Sequence, residues 1–216
     1  MSIVKGFTDS LLSSTAENFL SKKKIYDDLL LRFPDINKAT SEINILAINC
    51  GKNLFNTAQD RGFGISRIGI SNSKDSSKSI SNNQTLDNIS ESLKNFDTII
   101  FDKCLEYFTR PDEALLSAFK YSKDVRCIVK NYANLKHRLH FLFNGTWDFV
   151  DLGSDIFSTR NISPFGIDDF KNFCDKNEIK VKLSCYVNHK GYIKSTFSAN
   201  LFPNLSVDDA MFILEK

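Results

Sequence analysis

The nine residues ILAINCGKN, Ile45 to Asn53, have the layout of a loop that receives a nucleotide-like ligand. A short apolar strand, Ile43 to Ile48, leads into a turn at Gly51 and then into a helix-like run, Leu54 to Arg61, that stops at Gly62. Nucleotide-binding α/β proteins place their first strand and glycine loop in this way. In such sheets ligands bind outside the carboxyl ends of the strands. That rule adds Asp102, Glu106 and Tyr107 after a strand at Thr98 to Phe101, and Asn131, Tyr132 and Asn134 after a strand at Val125 to Lys130. The ordinary use of each of these residues is to cap a loop or a strand end.

Composition excludes several other chemistries. The chain has 216 residues, 42% apolar and 25% charged, enough for one substantial domain with a full core. A net charge of +2 is too small to imply nucleic-acid or membrane binding, and the run Lys22-Lys23-Lys24 reads as a solvated helix face. No segment approaches the roughly 20 apolar residues of a membrane span, so the expected location is cytoplasmic. Cys50, Cys104, Cys127, Cys174 and Cys185 are scattered and lack paired metal-ligand spacing, which predicts reduced thiols in the core. His137, His140 and His189 form no metal-binding pattern.

Short apolar strands alternate with helices of ordinary length. Residues 7 to 32 read as helical and end at Phe33-Pro34. Strands are expected at Ile43 to Ile48, Ile65 to Ile70, Thr98 to Phe101, Val125 to Lys130, Lys180 to Val187 and Ala210 to Leu214. Pro111 opens a helix expected to reach Tyr121, with Asp112 and Glu113 in its first turn. Further helices run from about Ala133 to Asn144, closed by Gly145, and from about Ile167 to Lys176. This alternation predicts a doubly wound, mostly parallel sheet. The Ser- and Asn-rich stretch from Ser71 to Ser92 is poor material for a helix and a strand, and reads as a shortened sheet edge. The Phe-rich run around Trp147 (Phe141, Phe143, Phe149) is assigned mainly to core packing, with a substrate or partner surface as the alternative.

Four stretches together resemble a known family. FDTIIFDKCLEYFTRPDEALL (Phe96 to Leu116) is similar to an FD-strand followed by L-Q/E-x-x-x-x-P, and RLHFLFNGTW (Arg138 to Trp147) to the segment after a Pro-Asn loop. FSTRNISPFGIDDFKNFC (Phe157 to Cys174) is close to W-Y-x-T-P-N-I-H-x-x-T-I-x-D-F-x-x-x-C, and FPNLSVDDAMFILEK (Phe202 to Lys216) to a terminal P-N-L and apolar strand. In order and spacing the chain resembles a MetW-type member of the class I methyltransferase superfamily.

The resemblance implies an α/β, Rossmann-like, open and mostly parallel seven-stranded sheet with the last strand antiparallel. It divides the chain into an N-terminal helical extension, residues 1–42, packed on a methyltransferase-like domain, residues 43–216. It also implies S-adenosylmethionine as cofactor, held by a D-x-G-x-G-x-G loop and by an acid at the end of the second strand. On that pattern the cofactor-binding positions are Asn49, Gly51, Asn53, Ser71, Asp87 and Asp102. Ala47 stands in the aspartate position, Asn49 and Asn53 replace glycines, and Ser71 follows the second strand in place of an acid. Where φ is positive, Asn is the least costly replacement for Gly, so the turn is expected to persist while its pocket narrows. These changes predict weak or lost S-adenosylmethionine binding and action through a partner such as homoserine O-acetyltransferase. The alternative is an active methyltransferase on a small-molecule substrate.

Overall fold

The computed structural model describes residues 27–32, 39–71, 79–81, 96–146, 163–187 and 202–216. Its strands are β1 (Asn44–Ile48), β2 (Gly64–Ser71), β3 (Ser79–Ser81), β4 (Thr98–Asp102), β5 (Asp124–Lys130), β6 (Lys180–Val187) and β7 (Asp209–Glu215). The main helices are α1 (Lys52–Asp60), α2 (Pro111–Ala118), α3 (Leu135–Asn144) and α4 (Ile167–Lys176), with a single helical turn at Pro203–Ser206. The strand order is β3-β2-β1-β4-β5-β7-β6. Six strands carry the long ladder and the three-residue β3 extends it beside β2. Pairings from β3 to β5 are parallel, and β7 runs antiparallel to both neighbours, so the sheet is mixed.

Both faces of the central strands are buried, which is why they read as continuous apolar runs rather than alternating ones. Leu46, Ile48, Phe101 and Phe212 pack on one face beneath Leu115 of α2 and Phe170 of α4. There the Phe170 and Phe212 rings lie 4.8 Å apart. Ile45, Ala47, Ile100 and Met211 pack on the other face against Leu54 and Ala58 of α1 and against Leu29, Leu30 and Leu31.

Arg126 fastens that second layer. It is buried in β5, and its guanidinium donates to the carbonyls of Leu30 at 2.6 Å and Arg32 at 2.8 Å. The Asp124 carboxylate balances its charge at 2.7 Å. A buried cation is tolerable only with such partners. The helical turn over residues 27–30 is thereby tied to the middle of the sheet; most of the expected helix over residues 7 to 32 lies outside the described residues.

Two expected boundaries shift for local reasons. Helix α2 ends at Ala118 rather than Tyr121, because the Ala118 carbonyl receives both the Tyr121 and the Ser122 amides and the chain tightens into a turn. Helix α3 starts at Leu135 rather than Ala133, because the Asn134 side chain caps it by accepting the His137 amide at 2.9 Å. Its far end closes on Gly145 at φ 67°, the left-handed conformation that favours glycine. Of the Ser71 to Ser92 stretch, only β3 and the end of β2 belong to the described residues.

Candidate functional site

The strand order reverses between β1 and β4, and the crevice at such a switch point is where open α/β sheets bind ligands. Asn49 leaves β1 there at φ 58° and Lys103 leaves β4 at φ 49°. Non-glycine residues adopt this conformation sparingly, and Asn tolerates it better than most. The sequence expectation for Asn49 as a left-handed replacement for glycine therefore matches the backbone. Gly51 itself is extended, at φ −73° and ψ 162°, and caps α1.

Asp102 organises the crevice. Its carboxylate accepts the Gly51 amide at 3.4 Å, and its carbonyl accepts the Asn49 side-chain amide at 3.3 Å. The Asn49 amide donates to the Ile68 carbonyl of β2 at 2.8 Å, and the Cys104 thiol donates to the Ile48 carbonyl at 3.6 Å. Three strand ends are thus bound together around one loop. Beside them, a Cβ placed on Gly69 meets nothing within 4 Å, so the end of β2 next to Asn49 is open.

The candidate cofactor positions separate in space. Asn49, Gly51 and Asp102 converge; Asn53 lies exposed in the first turn of α1. Ser71 is the last residue of β2, and Asp87 lies outside the described residues. After β5, Asn131 is fully buried and its side-chain amide donates to the Val207 carbonyl at 2.7 Å and to those of Pro203 and Asn204 at 3.2 Å. That is a loop-fastening role. Asn134 is the α3 cap, and Tyr132 stacks on His137 with ring centroids 5.9 Å apart. Among the described residues no group of His, Cys, Asp and Glu is arranged to hold a metal.

Glu106 differs from these. It sits in the 3-10 turn Leu105–Tyr107 after β4, is 2% exposed, and its Oε2 has no hydrogen-bond partner. Burial pushes its carboxyl up to about 7, against partial relief from its backbone amide and from Lys130. Sequence spacing placed Glu106 beyond β4, but nothing in the sequence signals its burial. Lys103 and Asp209 were not foreseen as a pair; they meet at 2.9 Å across β4 and β7, beyond the range of any short motif.

All five cysteines are free, four are buried, and burial raises the thiol of Cys50 to about 11 and those of Cys174 and Cys185 to about 12. They are packing residues, as their apolar contexts indicated. An apolar cavity of about 170 Å³ lies between α2 and α4, lined by Leu105, Leu115, Phe165, Phe170 and Phe173, away from the Asn49 loop. On α3 the core-packing assignment does not hold for two of the phenylalanines. Phe143 is 77% exposed and Phe141 is exposed too, alongside Leu135, Leu139 and Leu142, with Phe202 and Leu205 on the neighbouring turn. The helix is only half covered because His137 is its sole buried residue. Trp147 and Phe149 lie outside the described residues. No described helix is long and apolar enough to cross a membrane.

Known structures share this architecture at low identity. A Haloferax volcanii complex of the Trm112 methyltransferase activator with a putative methyltransferase matches at 10% identity, with a TM-score of 0.53 over 90% of this chain and 88% of that one. A putative zinc-dependent alcohol dehydrogenase from Rhodobacter sphaeroides matches at 13% identity and a TM-score of 0.52 over 88% of each chain. The plantazolicin methyltransferase BpumL, solved with S-adenosylhomocysteine (SAH), matches at 14% identity and a TM-score of 0.51 over 92% of this chain and 83% of that one. At such identities they show the fold alone, a Rossmann-like α/β methyltransferase fold with a mixed sheet. No curated protein matches. The family model described as methionine biosynthesis protein MetW matches residues 40–214, most of the chain, and overlaps the four sequence stretches that carry the resemblance: the chain belongs to the MetW family.

Proposed function

We propose that this protein binds S-adenosylmethionine weakly at the β1–β4 switch and uses it to methylate a small molecule. The observation that carries the reading is Asn49 at φ 58°, which keeps the loop's turn in spite of the lost glycine. The surrounding groups suit the amino-acid end of the cofactor. Asp102 offers a carboxylate for its ammonium, the Gly51 amide faces the same crevice, and the open side of Gly69 leaves room. When bound, S-adenosylmethionine supplies an electrophilic methyl group. The protein's part is to hold and orient the reactants, which suffices for much of such a rate enhancement. The ribose end has the weaker provision, because β2 ends in Ser71 rather than an acid. A neutral contact in place of a charge-assisted one lowers affinity roughly tenfold.

Calorimetric titration with S-adenosylmethionine and SAH tests this reading. Saturable binding is expected, and no heat at millimolar ligand with a folded protein would sink it.

A second reading is favoured by the apolar surface of α3. Leu142 and Phe143 are 71% and 77% exposed, and the helix carries Lys136 and Arg138 with no acid. Contiguous exposed apolar surface marks interaction sites. In this reading the protein acts through a partner, with homoserine O-acetyltransferase the candidate suggested by the family's link to methionine biosynthesis. Mixing the two purified proteins should give a complex on size exclusion; separate elution at micromolar concentrations would dismiss that partner.

A further inference from the structure

We propose that Glu106 accepts the proton released by the methyl-accepting atom, and that the acceptor is therefore an amine or a hydroxyl compound. The inference rests on the methyltransferase reading of the site. Glu106 lies four residues beyond the end of β4, the strand whose last residue, Asp102, accepts from the Asn49 loop. Its turn is fixed: the Tyr107 amide donates to Cys104, the Phe108 amide to Leu105, and the Ser163 amide to the Glu106 carbonyl at 3.0 Å. A carboxylate oxygen held there, 2% exposed and without a partner, is an exception among buried polar atoms and disfavours the fold. Such an exception calls for a reason, and a ligand proton is the one that suits its place at the strand ends.

The charged and titratable groups around it come from every neighbouring element. Lys103 and Cys104 belong to the loop after β4, Lys130 to the end of β5, and Asp209 to the start of β7. Lys103 is paired with Asp209, and Lys130 lies over the Tyr132 ring, 5.0 Å from its centroid. Burial holds the Glu106 carboxyl at about 7, so near neutral pH it can both take a proton and release it again.

The step balances. A bond forms between the acceptor's nitrogen or oxygen and the methyl carbon of S-adenosylmethionine; the carbon–sulfur bond breaks with its electron pair going to sulfur; the acceptor's proton goes to Glu106. A thiolate or carboxylate acceptor arrives without that proton and needs no such group.

Sinefungin, which carries an ammonium where S-adenosylmethionine has its sulfonium methyl, reads out the proposal without a substrate. Its dissociation constant is compared with that of SAH for the wild type and for Glu106→Gln, between pH 6 and pH 8. The wild type should prefer sinefungin by about tenfold at pH 8, less at pH 6, and Glu106→Gln should lose the preference. A preference retained in Glu106→Gln, or absent from a wild type that binds SAH, overturns the assignment of Glu106. A wild type that binds neither compound overturns the methyltransferase reading and this inference with it. Should Glu106→Gln not fold, the wild-type ratio decides alone, and a ratio flat from pH 6 to pH 8 overturns the proposal.

Discussion

The Asp102 carboxylate accepts the Gly51 amide at 3.4 Å, so an acid borne on β4 steadies a loop that leaves β1. The resemblance implies an acid on β1 itself, where this chain has the buried Ala47. In this chain the carboxylate that meets the loop is borne on the next strand.

Asn49 sets the first expectation. Asn49→Ala removes both the tolerance of φ 58° and the amide donated to Asp102, and should destabilise the fold by about 1–2 kcal/mol. Asn49→Gly loses the same hydrogen bond without the backbone strain and should be the milder change. Urea unfolding of both variants checks the order; equal losses would mean that the backbone conformation contributes nothing.

Arg126 sets the second. Arg126→Met leaves the Leu30 and Arg32 carbonyls and the Asp124 carboxylate without their cation, and should lower stability by about 3–5 kcal/mol. Hydrogen exchange should quicken first over residues 27–32. Unchanged exchange there would show that apolar packing of Leu29, Leu30 and Leu31 alone holds the segment.

The fold itself was largely legible in the sequence because the strands of β1, β4 and β5 are buried on both faces and leave unbroken apolar runs. Helix ends were less legible. Tyr121 has no feature that forbids helix, and only the Ala118 carbonyl's double acceptance in the folded chain stops α2. At the site, the left-handed turn at Asn49 followed from the intrinsic tolerance of Asn. The Lys103–Asp209 pair and the isolation of Glu106 arise from residues far apart in the chain, and no local spacing encodes them.

Glu106 also makes stability depend on pH. Its carboxyl is raised from the usual 4.5 to about 7, so between those values the folded state binds the extra proton. The contribution is fully present below about 4.5 and is lost as pH rises through about 7. Its size is about 3 kcal/mol, because a tenfold change in proton affinity corresponds to about 1.4 kcal/mol. The difference in unfolding free energy between wild type and Glu106→Gln, followed from pH 4.5 to pH 8, should show that decline. A difference independent of pH would mean that Glu106 titrates normally.

On α3, Leu142→Ser and Phe143→Ser should change stability by no more than about 0.5 kcal/mol, because both side chains already face solvent. The same changes should weaken association with any partner that uses this face, as read by analytical ultracentrifugation of the mixture. A large loss of stability would place the two side chains in the core instead.

Strand β7 lies after β6 in the chain but between β5 and β6 in space. During synthesis β6 therefore emerges with both edges bare, and it stays so until Asp209 to Glu215 have been made and slotted in. A strand waiting in that state is a template for the wrong neighbour. Of the eight residues of β6, Lys180 and Lys182 carry like charges that discourage such pairing, which makes the order of strands a reason for lysines at that edge.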